Sequence, residues 1–117
     1  MKSTIGTVTL TDAAPLDHVI FTVGGDGNGD HATVKSIYIQ AVSTNSTDLV
    51  GVVKLVGKGL EVGIKTLDIQ NDVTSYFSIE NGNALLGMGK SNIYAIKLTC
   101  PATADDTVVF NYVVNYE

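Results

Sequence analysis

Apolar and polar residues alternate along almost the whole chain with a period of two. "TIGTVTL" (Thr4–Leu10), "LDHVIFTV" (Leu16–Val23) and "ATVKSIYIQAV" (Ala32–Val42) each place every second side chain on one face. "LVGVVKLV" (Leu49–Val56), "LEVGIKTLDI" (Leu60–Ile69) and "VTSYFSI" (Val73–Ile79) follow. "NIYAIKLT" (Asn92–Thr99) and "TVVFNYVVNY" (Thr107–Tyr116) end the series. That period predicts β-strands, because successive side chains of an extended chain point to opposite faces. No window has the 3.6-residue spacing of a helix. The joints are rich in residues that tolerate turns: "TDAAP", "STNSTD", "GKG", "QND" and "CPATADD". Asn81-Gly82 is the strongest hairpin signal, and Ala84–Met88 is expected to pair back across it.

About eight short strands at regular spacing predict one all-β domain over residues 1–117. The expected fold is an antiparallel β-sandwich, jelly-roll-like, with an immunoglobulin-like order as the alternative. Valine, isoleucine and threonine supply 37 of the 117 residues and suit a pleated, half-buried surface. No apolar run approaches the ~18 residues of a membrane span. The start, "MKSTIGTVTLTD", does not read as a secretory signal.

Two strands are apolar on both faces. In Thr107–Tyr116, Val108, Phe110, Tyr112, Val114 and Tyr116 share one face, while Val109 and Val113 join Asn111 and Asn115 on the other. In Ala32–Val42, Ile37, Ile39 and Ala41 face one way and Val34, Tyr38 and Val42 the other. A strand of this kind is covered on both sides. Val109, Val113, Ile37 and Ile39 are therefore the expected contacts with another subunit.

Charge narrows the function. Charged residues make up 16% of the chain, against roughly 25% in ordinary domains. The net charge is −5, and all seven basic residues are lysine. Without arginine's planar fork, and with an acidic balance, nucleic acid is not an expected partner. The single cysteine, Cys100, forms no internal disulfide.

The motifs that suggest chemistry are incomplete. In "VGGDGNGDHAT" (Val23–Thr33), Asp26, Asn28 and Asp30 have the spacing of the first half of a calcium-binding EF-hand loop. His31 then stands where that loop needs glycine, and Ile37 where it needs its bidentate glutamate. The expected reading is a metal-free strand connection. "GMGKS" (Gly87–Ser91) ends like a phosphate-binding loop, but Ala84 replaces its first glycine and a strand follows instead of a helix. His18 and His31 lack metal-ligand spacing, Cys100 has no identifiable base, and Asp105-Asp106 reads as a solvated turn. "NST" at Asn45 fits the glycosylation acceptor pattern, and without a signal it reads as a polar turn. No enzyme and no cofactor are expected.

In size, absence of a signal, Thr/Val/Asn-rich strands, glycine-rich loops and sparse charge, the chain resembles capsid decoration (cement) proteins of tailed bacteriophages. The resemblance implies a β-sandwich subunit of the virion, made in the host cytoplasm. It implies a homo-oligomer, a trimer first, that braces a major capsid or other virion protein. A tail or fibre component has the same character. The rival expectation is a carbohydrate-binding or adhesion module, with Tyr38, Tyr76, Tyr94, Tyr112 and Tyr116 as stacking faces and calcium as an aid.

Overall fold

One symmetry of the chain sets most of its strand partners. In a computed structural model, Lys2 pairs with Tyr116, Leu16 with Cys100, Ser36 with Glu80 and Gly57 with Leu60. Across these four antiparallel pairs the two residue numbers always sum to between 116 and 118. The chain is thus one long hairpin folded at its midpoint, Lys58-Gly59. Gly59 has φ +70°, a left-handed conformation that glycine takes without a Cβ clash. The structure describes residues 1–11, 14–23, 30–80, 86–89, 92–103 and 107–117.

The strands are β1 (Lys2–Leu10), β2 (Leu16–Thr22), β3 (His31–Ser43), β4 (Leu49–Gly57), β5 (Leu60–Ile69), β6 (Thr74–Glu80), β7 (Leu86–Gly89), β8 (Ile93–Cys100) and β9 (Val108–Tyr116). The hairpin is rolled up into two sheets, with orders β1-β9-β3-β6 and β2-β8-β4-β5. Successive strands switch sheets, except in the β4–β5 hairpin and from β6 to β7. That winding is a jelly roll. An immunoglobulin order would need more hairpins kept within one sheet.

Two expectations about pairing are corrected. The segment after Asn81-Gly82 does not fold back on β6. Leu86–Gly89 pairs with His31–Val34 of β3, along the same edge and in the same direction as β6. Residues 81–85 themselves lie outside the described residues. Val34, expected opposite Ile37, is fully buried beside it, because a bulge between Val34 and Ser36 shifts the register by one residue. A one-residue shift moves a side chain to the other face of the sheet.

The core lies between the sheets. Phe110, Val108 and Val114 of β9 meet Ile96 and Leu98 of β8, Val53 of β4, and Leu67 and Ile69 of β5. The Phe21 ring packs against that of Tyr116 from the opposite sheet, centroids 4.7 Å apart and tilted by 55°. Removing such a ring leaves a void that neighbours fill only partly, and Phe110→Ala is expected to destabilise by about 3–5 kcal/mol.

Candidate functional site

The outward side chains of the β1-β9-β3-β6 sheet fall into four rows that cross all four strands. Register places Ser3–Asn115–Ser36–Glu80 in the first, Ile5–Val113–Tyr38–Ser78 in the second, Thr7–Asn111–Gln40–Tyr76 in the third and Thr9–Val109–Val42–Thr74 in the fourth. The third row is a continuous hydrogen-bonded chain. Thr7 Oγ1 donates to Asn111 Oδ1 (2.7 Å), Asn111 Nδ2 to Gln40 Oε1 (2.8 Å) and Gln40 Nε2 to the Tyr76 hydroxyl (3.2 Å). In the first row, Ser3 Oγ donates to Asn115 Oδ1 (2.6 Å) and Asn115 Nδ2 to Ser36 Oγ (2.9 Å). Cross-strand pairs of this kind hold each side chain in one orientation.

Between the ladders lies an apolar strip. It runs through Ile5, Val113 and Tyr38 and is bordered by the Tyr76 ring, with Ile5 and Tyr76 each 75% exposed. Together with Thr7, Gln40 and Asn111 they line a shallow depression of about 490 Å³. One carboxylate occupies the sixteen outward positions: Glu80, which accepts a 2.6 Å hydrogen bond from the Tyr38 hydroxyl. That bond to a carboxylate raises the Tyr38 pKa above its usual value, because ionised Tyr38 would face a second negative charge without the bonding proton.

The outer face of the other sheet is different in kind. Asp17, Lys54, Glu61, Asp68 and Lys97 all lie on it. Lys97 Nζ pairs with Glu61 and with Asp17 (3.1 Å), which ties the two edge strands of that sheet together across its middle. Glu61, then Asp17, raise the Lys97 pKa by stabilising its ammonium form.

The residues singled out in the sequence separate. Val109 and Val113 are half-buried on the charge-poor outer face. Ile37 and Ile39, expected at the same subunit contact, are instead 1% and 3% exposed in the protein's own core, where no second subunit reaches them. Alternation had grouped them correctly with Ala41 and left open which face was the inner one. Tyr112 and Tyr116 are also core residues, and half-buried Tyr94 packs against that core. Tyr38 and Tyr76 are the tyrosines on the surface.

Asp30 is exposed just before β3, while Asp26 and Asn28 lie outside the described residues. Among the described residues no group of three or more His, Cys, Asp or Glu could hold a metal ion. Gly87–Gly89 belongs to a strand, a strand follows it, and Lys90 and Ser91 lie outside the described residues. Cys100 is buried, and desolvation pushes its thiol pKa up to about 11, far from that of a nucleophile poised at neutral pH. His18 lies beside Tyr112 between the sheets, and His31 is exposed at the start of β3. Sequence reasoning missed Ile5, Thr7 and Gln40. Each belongs to the site only through its row, and rows depend on register between distant strands.

No protein family matches the sequence, and no curated protein matches it. Among solved structures, the chain is similar to one from Bacillus endospore appendages, described as a novel family of disulfide-linked pili. The TM-score is 0.50 with 11% identity, over 97% of this chain and 82% of that one. The likeness is one of fold. Two structures of infectious bursal disease virus are also similar. The Gt strain gives TM-score 0.42 and 11% identity, over 97% of this chain and 30% of that chain. The Gx strain gives 0.37 and 10%, over 100% and 37%.

Proposed function

We propose that the protein is a non-enzymatic structural subunit that assembles with other protein copies through the outer face of the β1-β9-β3-β6 sheet. The observation that carries this reading is the charge contrast: one charged side chain in the four rows of that face, against five on the opposite one. A sheet face kept in water is normally studded with charge, whereas the centre of a protein interface is depleted of it and enriched in aromatic residues. The disulfide-linked pili that share the fold are a precedent for building an assembly from such a sandwich. In its finer form the proposal is a decoration subunit on a virion shell, homo-oligomeric and a trimer first.

The test is mass in solution by light scattering, over a rising concentration series. Val113→Lys is expected to stay folded by circular dichroism and to lose assembly. A lysine buried at a contact without a partner costs several kcal/mol. A wild type that stays monomeric throughout, with Val113→Lys equally stable, would refute the proposal.

A second reading has its own observation. Tyr76 presents an exposed ring next to the amides of Gln40 and Asn111, a combination that suits a neutral sugar. Glycan-array binding that Tyr76→Ala abolishes would support it. No binding at millimolar sugar would remove it.

A further inference from the structure

The first part of β5, at the edge of its sheet, is left uncovered. Seven consecutive residues of β5, Leu60–Thr66, are exposed, although a strand in a sandwich normally buries every second side chain. The register shows why this matters. Val62 pairs with Leu55 and Leu60 with Gly57, so both point to the side that elsewhere along these strands forms the core. Leu60 is 59% exposed and Val62 44%. A core pattern left in water marks a contact surface. The tip adds Lys58, exposed and with no ion pair among the described residues. The edge itself is blunted against strand pairing by Glu61, Lys65 and a bulge at Ile64. A partner would therefore meet side chains, not the backbone.

The depression on the other sheet is the complement of this tip. It offers Ile5, Val113 and Tyr76 to an aliphatic knob, and Glu80 is the one charged residue of the four rows. Tip and depression belong to opposite sheets, so a single copy cannot fill its own depression. We propose, resting on the assembly reading above, that the occupant is a second copy. The hairpin tip of one subunit seats in the outer-face depression of the next, with Leu60 and Val62 on the apolar strip and Lys58 directed at Glu80. The contact joins two different surfaces of one chain, so it is heterologous and propagates head to tail, into a ring where the rotation closes and a fibre where it does not.

Two variants test this, each at one end of the contact: Leu60→Asp on the tip and Val113→Lys in the depression. Circular dichroism checks that both fold. Alone, each is expected to be monomeric by light scattering. Mixed in equal amounts, they are expected to form a one-to-one dimer, because one intact tip meets one intact depression. A mixture that stays monomeric overturns the inference. So does a Leu60→Asp variant that assembles like wild type while Val113→Lys does not; that outcome leaves assembly standing but makes it a contact between like faces. A wild type that never assembles overturns both proposals. The charge pair gives an independent readout: Lys58→Glu and Glu80→Lys should each weaken assembly, and the double variant should restore it.

Discussion

The Tyr112 hydroxyl lies 3.3 Å from His18 Nε2, joining the two sheets directly beneath Gly6. Gly6 is the cross-strand partner of Tyr112, and the ring occupies the space where a Cβ on residue 6 would stand. Gly6→Ala is therefore expected to displace the ring and to destabilise by about 1–3 kcal/mol, as overpacked sites do. The same substitution in a Tyr112→Ala background should cost much less. Denaturant midpoints of the four proteins in this cycle measure the coupling. Additive effects would mean that the ring does not oppose the new methyl group.

Tyr38 and Glu80 predict a pH effect with a definite sign. The phenol pKa is raised above 10.0, chiefly by its hydrogen bond to the Glu80 carboxylate. Stability from this pair is thus present below pH 10 and is lost as pH rises through the folded-state pKa. Glu80→Gln should lower the Tyr38 pKa. Ultraviolet titration of tyrosinate, with the Tyr38 signal assigned by its absence in Tyr38→Phe, reads the shift directly. A pKa that stays the same or rises would remove the hydrogen bond as its cause.

Cys100 should be chemically silent in the folded protein. Burial raises its thiol from 9.0 to about 11, so at pH 8 only about one thiol in a thousand is ionised. Ellman's reagent should react only after denaturation, and non-reducing gels should show no cross-linked species. In this the protein is expected to differ from the disulfide-linked pili that share its fold. The same shift places a loss of stability between pH 9 and about 11, which Cys100→Ala should remove. Rapid labelling of the native protein at pH 8 would contradict the burial argument.

Asn45 reads in the sequence as an ordinary polar turn residue, but it is completely buried. Its amide nitrogen donates to the Thr47 carbonyl (2.7 Å) and hydroxyl (3.0 Å), and its backbone N–H donates to Ser43 Oγ (3.2 Å). Asn45→Ala should destabilise by about 1–3 kcal/mol, since buried acceptors lose their donor. Asn45→Asp should cost at least as much, because a carboxylate has no hydrogen to offer Thr47. Urea denaturation of the two variants gives the comparison, and a neutral Asn45→Asp would show that the loop is not held by this amide.

Strand positions were legible because local chemistry sets them: β-branched alternation inside, Gly, Asn, Asp and Pro at the joints. What was hidden depends on distant parts of the chain. No local pattern announces the bulge that turns Val34 inward, or that Leu86–Gly89 continues along β3 instead of closing a hairpin. Ile37 and Ile39 alternate as they would in either an interface or a core, and only the second sheet decides between them. The charge-poor face was partly visible, in "VVFNYVVNY" with Asn111, Val113 and Asn115 on one side. The rest sits on β1, β3 and β6, which only the register brings beside it. "LEVGIKTLDI" gives no warning that its first seven residues stay exposed, since Leu60, Val62 and Ile64 alternate as they would over a core.

Folding at the midpoint also imposes a schedule on the growing chain. Gly57 and Leu60 meet across a turn of two residues, whereas Lys2 and Tyr116 are 114 positions apart. Closing the innermost pair loses little chain entropy, and each outer pair becomes short-range only after the one inside it has closed. Zipping from the centre outward is therefore the inexpensive route. On the ribosome that order meets an obstacle: β1 is made before the other eight strands, and its partner β9 after them. Until β9 is made β1 has no hydrogen-bonded partner, so the sheet that carries the charge-poor face is completed only after translation of Tyr116.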